Sequence, residues 1–179
     1  MGGPKADLVL DGETLAARAA RSLRSVADPV FEVGPGYTDL PAVAEPDPGS
    51  GPLAALAAAV GAGVLPADRP VPVLVLAVDM PLVTVELLRL LAEDPSADSV
   101  VPVDRSSELQ PLCARWSAAA LAAAVDLVAR GERSMRALLA AVPVDTMAPA
   151  CWTPFAGPAG DPFTDIDTPD DLDRITSTP

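Results

Sequence analysis

Val73-Leu74-Val75-Leu76-Ala77-Val78 runs straight into Asp79-Met80-Pro81. Six apolar residues, mostly β-branched or leucine, predict a strand buried on both faces in the middle of a parallel sheet. Open α/β sheets collect their ligands in the crevice beyond the carboxyl ends of the strands, so Asp79 is expected at the lip of that crevice. Pro81 has no N–H to extend a ladder, and Thr84 is placed to cap a helix that begins near Val85. The expectation is a strand, an acidic tip and a turn into a helix, with chemistry at the tip. An aspartate after a buried strand can also be a plain turn-former or cap, and this stretch alone leaves both readings open.

Outward from it, strand and helix patterns alternate. Before it come a short apolar segment at 6–10, an Asp11-Gly12 turn, a helix opened by Thr14 and running to about Ser25, and a short strand over 29–33. Residues 34–52 are too rich in Pro and Gly for helix or central strand, and they lead into an alanine-rich helix over 53–60. After it come a helix over 85–92, strands at 99–103 and 112–115, helices at 117–129 and 134–141, an edge strand at 144–147, and an irregular, Pro-rich stretch over 148–162. The alternation predicts an α/β domain whose mostly parallel sheet is covered by helices on both faces.

The 179 residues fit one domain with a proper core. Half of them are hydrophobic but only 3% are aromatic, so that core is expected to be small aliphatic groups on closely packed helices. A net charge of −13 argues against a nucleic-acid partner. It also means that handling phosphates requires a metal ion or a local basic cluster. With no histidine, histidine triads, histidine-ligated zinc and imidazole bases are excluded. Cys113 and Cys151 form no disulfide framework or C-x-x-C pair, and a reducing cytoplasmic setting is the default; both are expected to be buried thiols, and Trp116 and Trp152 to be packing residues. No apolar run reaches the roughly 20 residues of a bilayer span, so no membrane partner is expected.

Three further stretches carry polar chemistry. Met1-Gly2-Gly3-Pro4-Lys5 could let backbone N–H groups approach an anion and add a point charge, although Gly-rich termini are common without any such role. Glu45-Pro46-Asp47-Pro48-Gly49-Ser50-Gly51-Pro52 precedes a helix whose free N–H groups point back at the loop and could hold a phosphate or a base edge. Near the end, Asp165-Ile166-Asp167 sends both carboxylates to one side of an extended segment. Side by side they repel unless something positive sits near them, so a divalent cation shared with Asp79 is a natural reading. Thr168, Pro169 and Asp171 form a capping-box pattern that accounts for Asp170 and Asp171 by helix physics.

Taken in order, Met1-Gly2-Gly3-Pro4-Lys5, Pro48-Gly49-Ser50-Gly51-Pro52-Leu53-Ala54, Val78-Asp79-Met80-Pro81 and Asp165-Ile166-Asp167-Thr168-Pro169-Asp170-Asp171-Leu172 resemble the nucleotidyltransferases that make molybdenum cofactors. Within that group the chain is most similar to the molybdenum cofactor guanylyltransferases, with order and spacing matching over essentially its whole length. Gly51-Pro52-Leu53-Ala54 favours the guanylyl branch, whose members usually read G-P-L-A-G; here Ala55 replaces the last glycine. Glu45 stands where the family more often has an aspartate, and the D-x-D-T-P motif is shared with the cytidylyl branch. Members begin with an apolar strand leading into L-A-G-G-x-S-x-R-M-G, a motif this chain enters only at Met1-Gly2. We therefore expect a single nucleotidyltransferase domain over 1–179, truncated at its N-terminus by the first strand, most of the glycine loop and an arginine.

The resemblance implies a three-layer, Rossmann-like nucleotidyltransferase fold, with helices on both faces of a mostly parallel sheet. It implies transfer of GMP from GTP to a molybdopterin-type molybdenum cofactor, with release of pyrophosphate and dependence on Mg²⁺. Asp79 and Lys5 would be catalytic, and Asp79, Asp165 and Asp167 would hold the metal. Gly2, Gly3, Lys5, Glu45, Gly51, Pro52, Leu53 and Asp79 would bind the nucleotide. Molybdoenzymes and cofactor-handling proteins would be transient partners. Other readings are a related cytidylyl- or sugar-phosphate nucleotidyltransferase, and a non-catalytic nucleotide-binding paralogue.

Overall fold

The computed structural model of the protein describes residues 4–64, 71–157, 160–166 and 168–176. A 3-10 turn, Lys5–Asp7, leads into a hairpin of β1 (Val9–Leu10) and β2 (Glu13–Thr14). The Thr14 side chain accepts the Ala17 N–H at 3.2 Å and caps α1 (Leu15–Arg24). A parallel pair follows, β3 (Glu32–Val33) and β4 (Ala42–Val43), then α2 (Pro52–Gly61). The stretch over 34–52 is thus mostly loop but contains β4, which is only two residues long and carries no periodic signal.

The predicted strand forms as β5 (Val73–Leu76), and Thr84 caps α3 (Val85–Ala92) by accepting the Leu87 N–H at 3.1 Å. Beyond it lie β6 (Ser99–Pro102), β7 (Cys113–Trp116), α4 (Ala118–Ala129), α5 (Met135–Ala141) and β8 (Val144–Met147). The stretch read as irregular over 148–162 holds α6 (Pro149–Trp152) and a 3-10 turn, Thr153–Phe155. α6 starts at Pro149, and Pro154 is the second residue of the 3-10 turn; proline is pre-set for a first helical turn. The chain closes on α7 (Pro169–Thr176). Its capping box forms as expected: the Asp171 carboxylate accepts the Thr168 N–H at 2.8 Å, and the Asp171 N–H reaches the Thr168 hydroxyl oxygen at 3.3 Å.

The main sheet has the order β5-β7-β6-β8. β6 and β8 are parallel, and β7 is antiparallel to both β5 and β6, so three of the four strands share a direction and β7 is reversed. The reversal has a local cause. The chain passes from β6 to β7 through a turn without a helix, and only antiparallel neighbours can be joined without a crossover. One expectation needs correction: among the described residues β5 is an edge strand, paired with β7 alone, and its four residues are only partly buried.

Strand alternation sorts the side chains between two layers. Val101, Ala114 and Trp116, with Val73 and Val75 beside them, pack under Leu53 and Leu56 of α2 and Leu121, Ala124 and Leu138 of α4 and α5. On the other face Val100 and Cys113, with Leu74 and Leu76 beside them, meet Leu87, Leu88 and Leu91 of α3, and Leu23 of α1 packs on the same cluster. This is the three-layer arrangement. A third cluster joins the ends of the chain, with Leu10 and Leu15 buried against Ile166 and Leu172. Among the described residues, no helix is long and apolar enough to cross a membrane.

Candidate active site at the tip of β5

Because β5, β6 and β8 point the same way, their carboxyl ends lie along one edge of the sheet. The chain leaves β5 in a tight turn in which the Met80 N–H reaches the Ala77 carbonyl at 3.4 Å and the Val83 N–H reaches the Met80 carbonyl at 3.3 Å. Met80 and Val83 are buried and fasten the turn to the core. Asp79 is left at the edge with 23% of its side chain exposed.

Two remote segments converge on it. The Lys5 ammonium lies 3.3 Å from the Asp79 carboxylate. Buried Ala6 anchors the 3-10 turn that carries Lys5. From the other end of the chain, the Ile166 N–H donates to the Asp79 carbonyl at 2.8 Å. Ile166 is fully buried with Leu10, Leu15 and Leu172, so the same apolar cluster that joins the two ends of the chain brings Lys5 and the exposed Asp165 to the strand tip. Asp167, Gly2 and Gly3 lie outside the described residues.

The 45–53 loop enters α2, in the layer opposite α3. The Glu45 carboxylate accepts the Gly49 N–H at 3.3 Å, and Ser50 donates its hydroxyl to Asp47 at 2.6 Å, so the loop is held by its own side chains. Gly51 has φ +93°, and a Cβ there would meet the Arg133 carbonyl oxygen at 3.3 Å. Glycine is therefore required by both conformation and space. Pro52 opens α2, and the Leu53 side chain is turned fully into the core, leaving its backbone to face the loop.

The neighbouring edge was not singled out by sequence. After β6 the loop is organised by Asp104, whose carboxylate accepts N–H groups of Ser106 at 2.8 Å and Glu108 at 2.9 Å and the Gln110 amide at 2.9 Å. Loss of solvent pushes its pKa up, but those hydrogen bonds together hold it below the usual carboxylate value. Fully buried Trp152 donates its indole N–H to the Val103 carbonyl at 2.9 Å, and the Phe163 ring meets it edge-on at 5.0 Å. The sequence did offer a signal: in a chain with 3% aromatics, two of them flank a Pro-rich stretch that would otherwise have little to pack. Of the two cysteines, Cys113 is buried as expected but Cys151 is exposed, because it sits on the solvent side of the single turn α6.

Among the described residues no three acidic or cysteine side chains gather closely enough to hold a metal ion on their own. That does not disqualify a magnesium site. Mg²⁺ is commonly held by one or two carboxylates together with substrate phosphates, and Asp79, with Asp165 one residue before the tied Ile166, would offer hard oxygen donors of that kind.

A family model described as a MobA-like NTP transferase domain matches residues 1–146. A probable molybdenum cofactor guanylyltransferase from Chloroflexus aggregans is 32% identical over 172 residues, covering 92% of this chain and 80% of that protein. A second protein of the same description, from Opitutus terrae, is 36% identical over 148 residues, covering 79% of this chain and 72% of its own. Among solved structures, molybdopterin-guanine dinucleotide biosynthesis protein A from Archaeoglobus fulgidus superposes with a TM-score of 0.73 at 22% identity, covering 96% of this chain and 88% of that one, which establishes the shared fold. With its strand-tip aspartate, its three-layer sheet and these relatives, the chain belongs to the MobA-like NTP transferase family and is a nucleotidyltransferase.

Proposed function

We propose that this enzyme transfers GMP from GTP to the terminal phosphate of a molybdopterin-type cofactor and releases pyrophosphate. The observation that carries the proposal is the meeting of Lys5, Asp79 and the Asp165 segment at one strand tip, joined to the names of the two relatives. In the reaction an oxygen of the acceptor phosphate attacks the α-phosphorus of GTP. A new P–O–P link forms, the α–β anhydride bond breaks, and its electrons leave with pyrophosphate. The reacting groups are all anions, so charge neutralisation and alignment do most of the work, and a protein nucleophile is not required.

Lys5 is the cation for the triphosphate. Asp79, with Asp165 and Asp167, would hold Mg²⁺, which when bound offsets charge on the phosphate oxygens. Gly2 and Gly3 would let backbone approach the phosphates, and Glu45, Gly51, Pro52 and Leu53 would form the wall over base and ribose. The domain is read as spanning 1–179, of which the family model covers residues 1–146. A cytoplasmic setting suits its two free thiols, and molybdoenzymes or cofactor-handling proteins would meet it transiently.

The test is pyrophosphate release from GTP and from CTP, with Mg²⁺ and a molybdopterin-type acceptor. The proposal expects release with GTP, much less with CTP, and none without acceptor. Preference for CTP would assign the chain to the cytidylyl branch, and no release with either nucleotide would favour a binding module.

A further inference from the structure

We infer that Trp152, Phe163 and Arg105 are positioning residues that set the acidic arm, 161–166, against Asp79. The arm has neither helix nor strand to hold it. At its far end the Ile166 N–H is tied to the Asp79 carbonyl at 2.8 Å. At its near end Asp161 turns the chain, its carboxylate accepting the Phe163 N–H at 3.0 Å and its carbonyl the Thr164 N–H at 3.1 Å. Between these points the arm is fastened to one indole. The Phe163 ring stands at 85° to Trp152 with centroids 5.0 Å apart, a favourable edge-to-face geometry. Arg105, on the loop after β6, lays its guanidinium 5.7 Å from the Trp152 ring centre and reaches the Asp161 carboxylate at 3.6 Å.

Trp152 itself does not move freely, being fully buried with its N–H on the Val103 carbonyl. Met80, the residue after Asp79, lies in the same buried cluster as Trp152 and Phe163. The ends of β5, β6 and β8 and the arm are therefore referred to a single side chain. Asp165 precedes the tied Ile166, so its placement follows from this latch and not from regular secondary structure.

The inference rests on the proposed metal-facing role of Asp79 and Asp165. It is tested in the full chain by Mn²⁺ binding in the presence of GTP, followed by electron paramagnetic resonance, alongside thermal melting. Arg105→Ala and Phe163→Leu should each weaken Mn²⁺ binding by about threefold to tenfold, the scale of one aromatic or cation–π contact. Arg105→Lys, which keeps a cation for both the ring and Asp161, should restore most of it. The melting temperature of Arg105→Ala should stay within about 2–4 °C of the wild-type value, because its side chain is 60% exposed. Unchanged Mn²⁺ affinity in both variants, or a loss in Arg105→Ala that lysine does not repair, would overturn the positioning role. If Phe163→Leu fails to fold, the arginine pair decides alone. Asp79→Asn separates the two layers of argument: weakened Mn²⁺ there with wild-type affinity in the latch variants sinks only the latch, whereas undiminished Mn²⁺ in Asp79→Asn sinks the metal role on which it depends.

Discussion

Removal of the Lys5 ammonium separates what the strand-tip pair does for folding from what it does for turnover. Two unit charges 3.3 Å apart attract by about 1.3 kcal/mol in bulk water. Because 45% of the Lys5 side chain is exposed, solvent and salt screen the pair, and its net contribution to stability is below about 1 kcal/mol. For a domain of this size that corresponds to a melting shift of no more than about 2–4 °C. Turnover is another matter. A preorganised cation facing phosphates is worth about 3–4 kcal/mol in the transition state, so Lys5→Ala should lower kcat by roughly 10²–10³. Pyrophosphate release from GTP, measured beside a thermal melt of the same preparation, gives both numbers. A rate within about threefold of wild type would remove Lys5 from the chemistry. A large melting loss would show instead that the residue serves the fold.

Further outcomes follow from the same geometry. Gly51→Ala should cost about 1–3 kcal/mol of stability, read by denaturant unfolding, because a side chain at φ +93° also presses on the Arg133 carbonyl. Leu87→Ala, under the Asp79 turn and fully buried, should cost about 2–5 kcal/mol in the same assay. In native protein a thiol reagent should label Cys151 and spare Cys113, with both reacting in denaturant, as their exposures require. Burial pushes the Cys113 thiol up to about 12 from its ordinary value of 9.0. The folded state therefore binds that proton more tightly, and the stability it contributes is intact below about pH 9 and lost toward pH 12 at up to about 1.4 kcal/mol per pH unit. Cys113→Ala should flatten that alkaline fall.

The features legible in the sequence were those with a local cause. Thr14, Thr84 and Thr168 each cap a helix as their spacing suggests, and the run 73–76 is a strand with Asp79 just beyond its end. What escaped was set by distant partners. The partial burial of β5 and the reversal of β7 depend on which strands become neighbours, and hydrophobic runs do not encode that choice. Trp152 reads from the sequence as a packing residue, which it is, but its place between Arg105 and Phe163 arises from chain segments that periodicity treats as loop. The resemblance to a family named Lys5, Asp79 and Asp165 together. Only the fold explains the meeting physically, through Ile166 packing on Leu10 and Leu15.

The central claim, that Asp79 directs metal-dependent guanylyl transfer, is tested most directly by titrating Mg²⁺ against pyrophosphate release from GTP in wild type and in Asp79→Asn. The account predicts a saturable, Mg²⁺-dependent rate in the wild type and no release above background in a variant that melts normally. A near-wild-type, Mg²⁺-dependent rate in Asp79→Asn would contradict it.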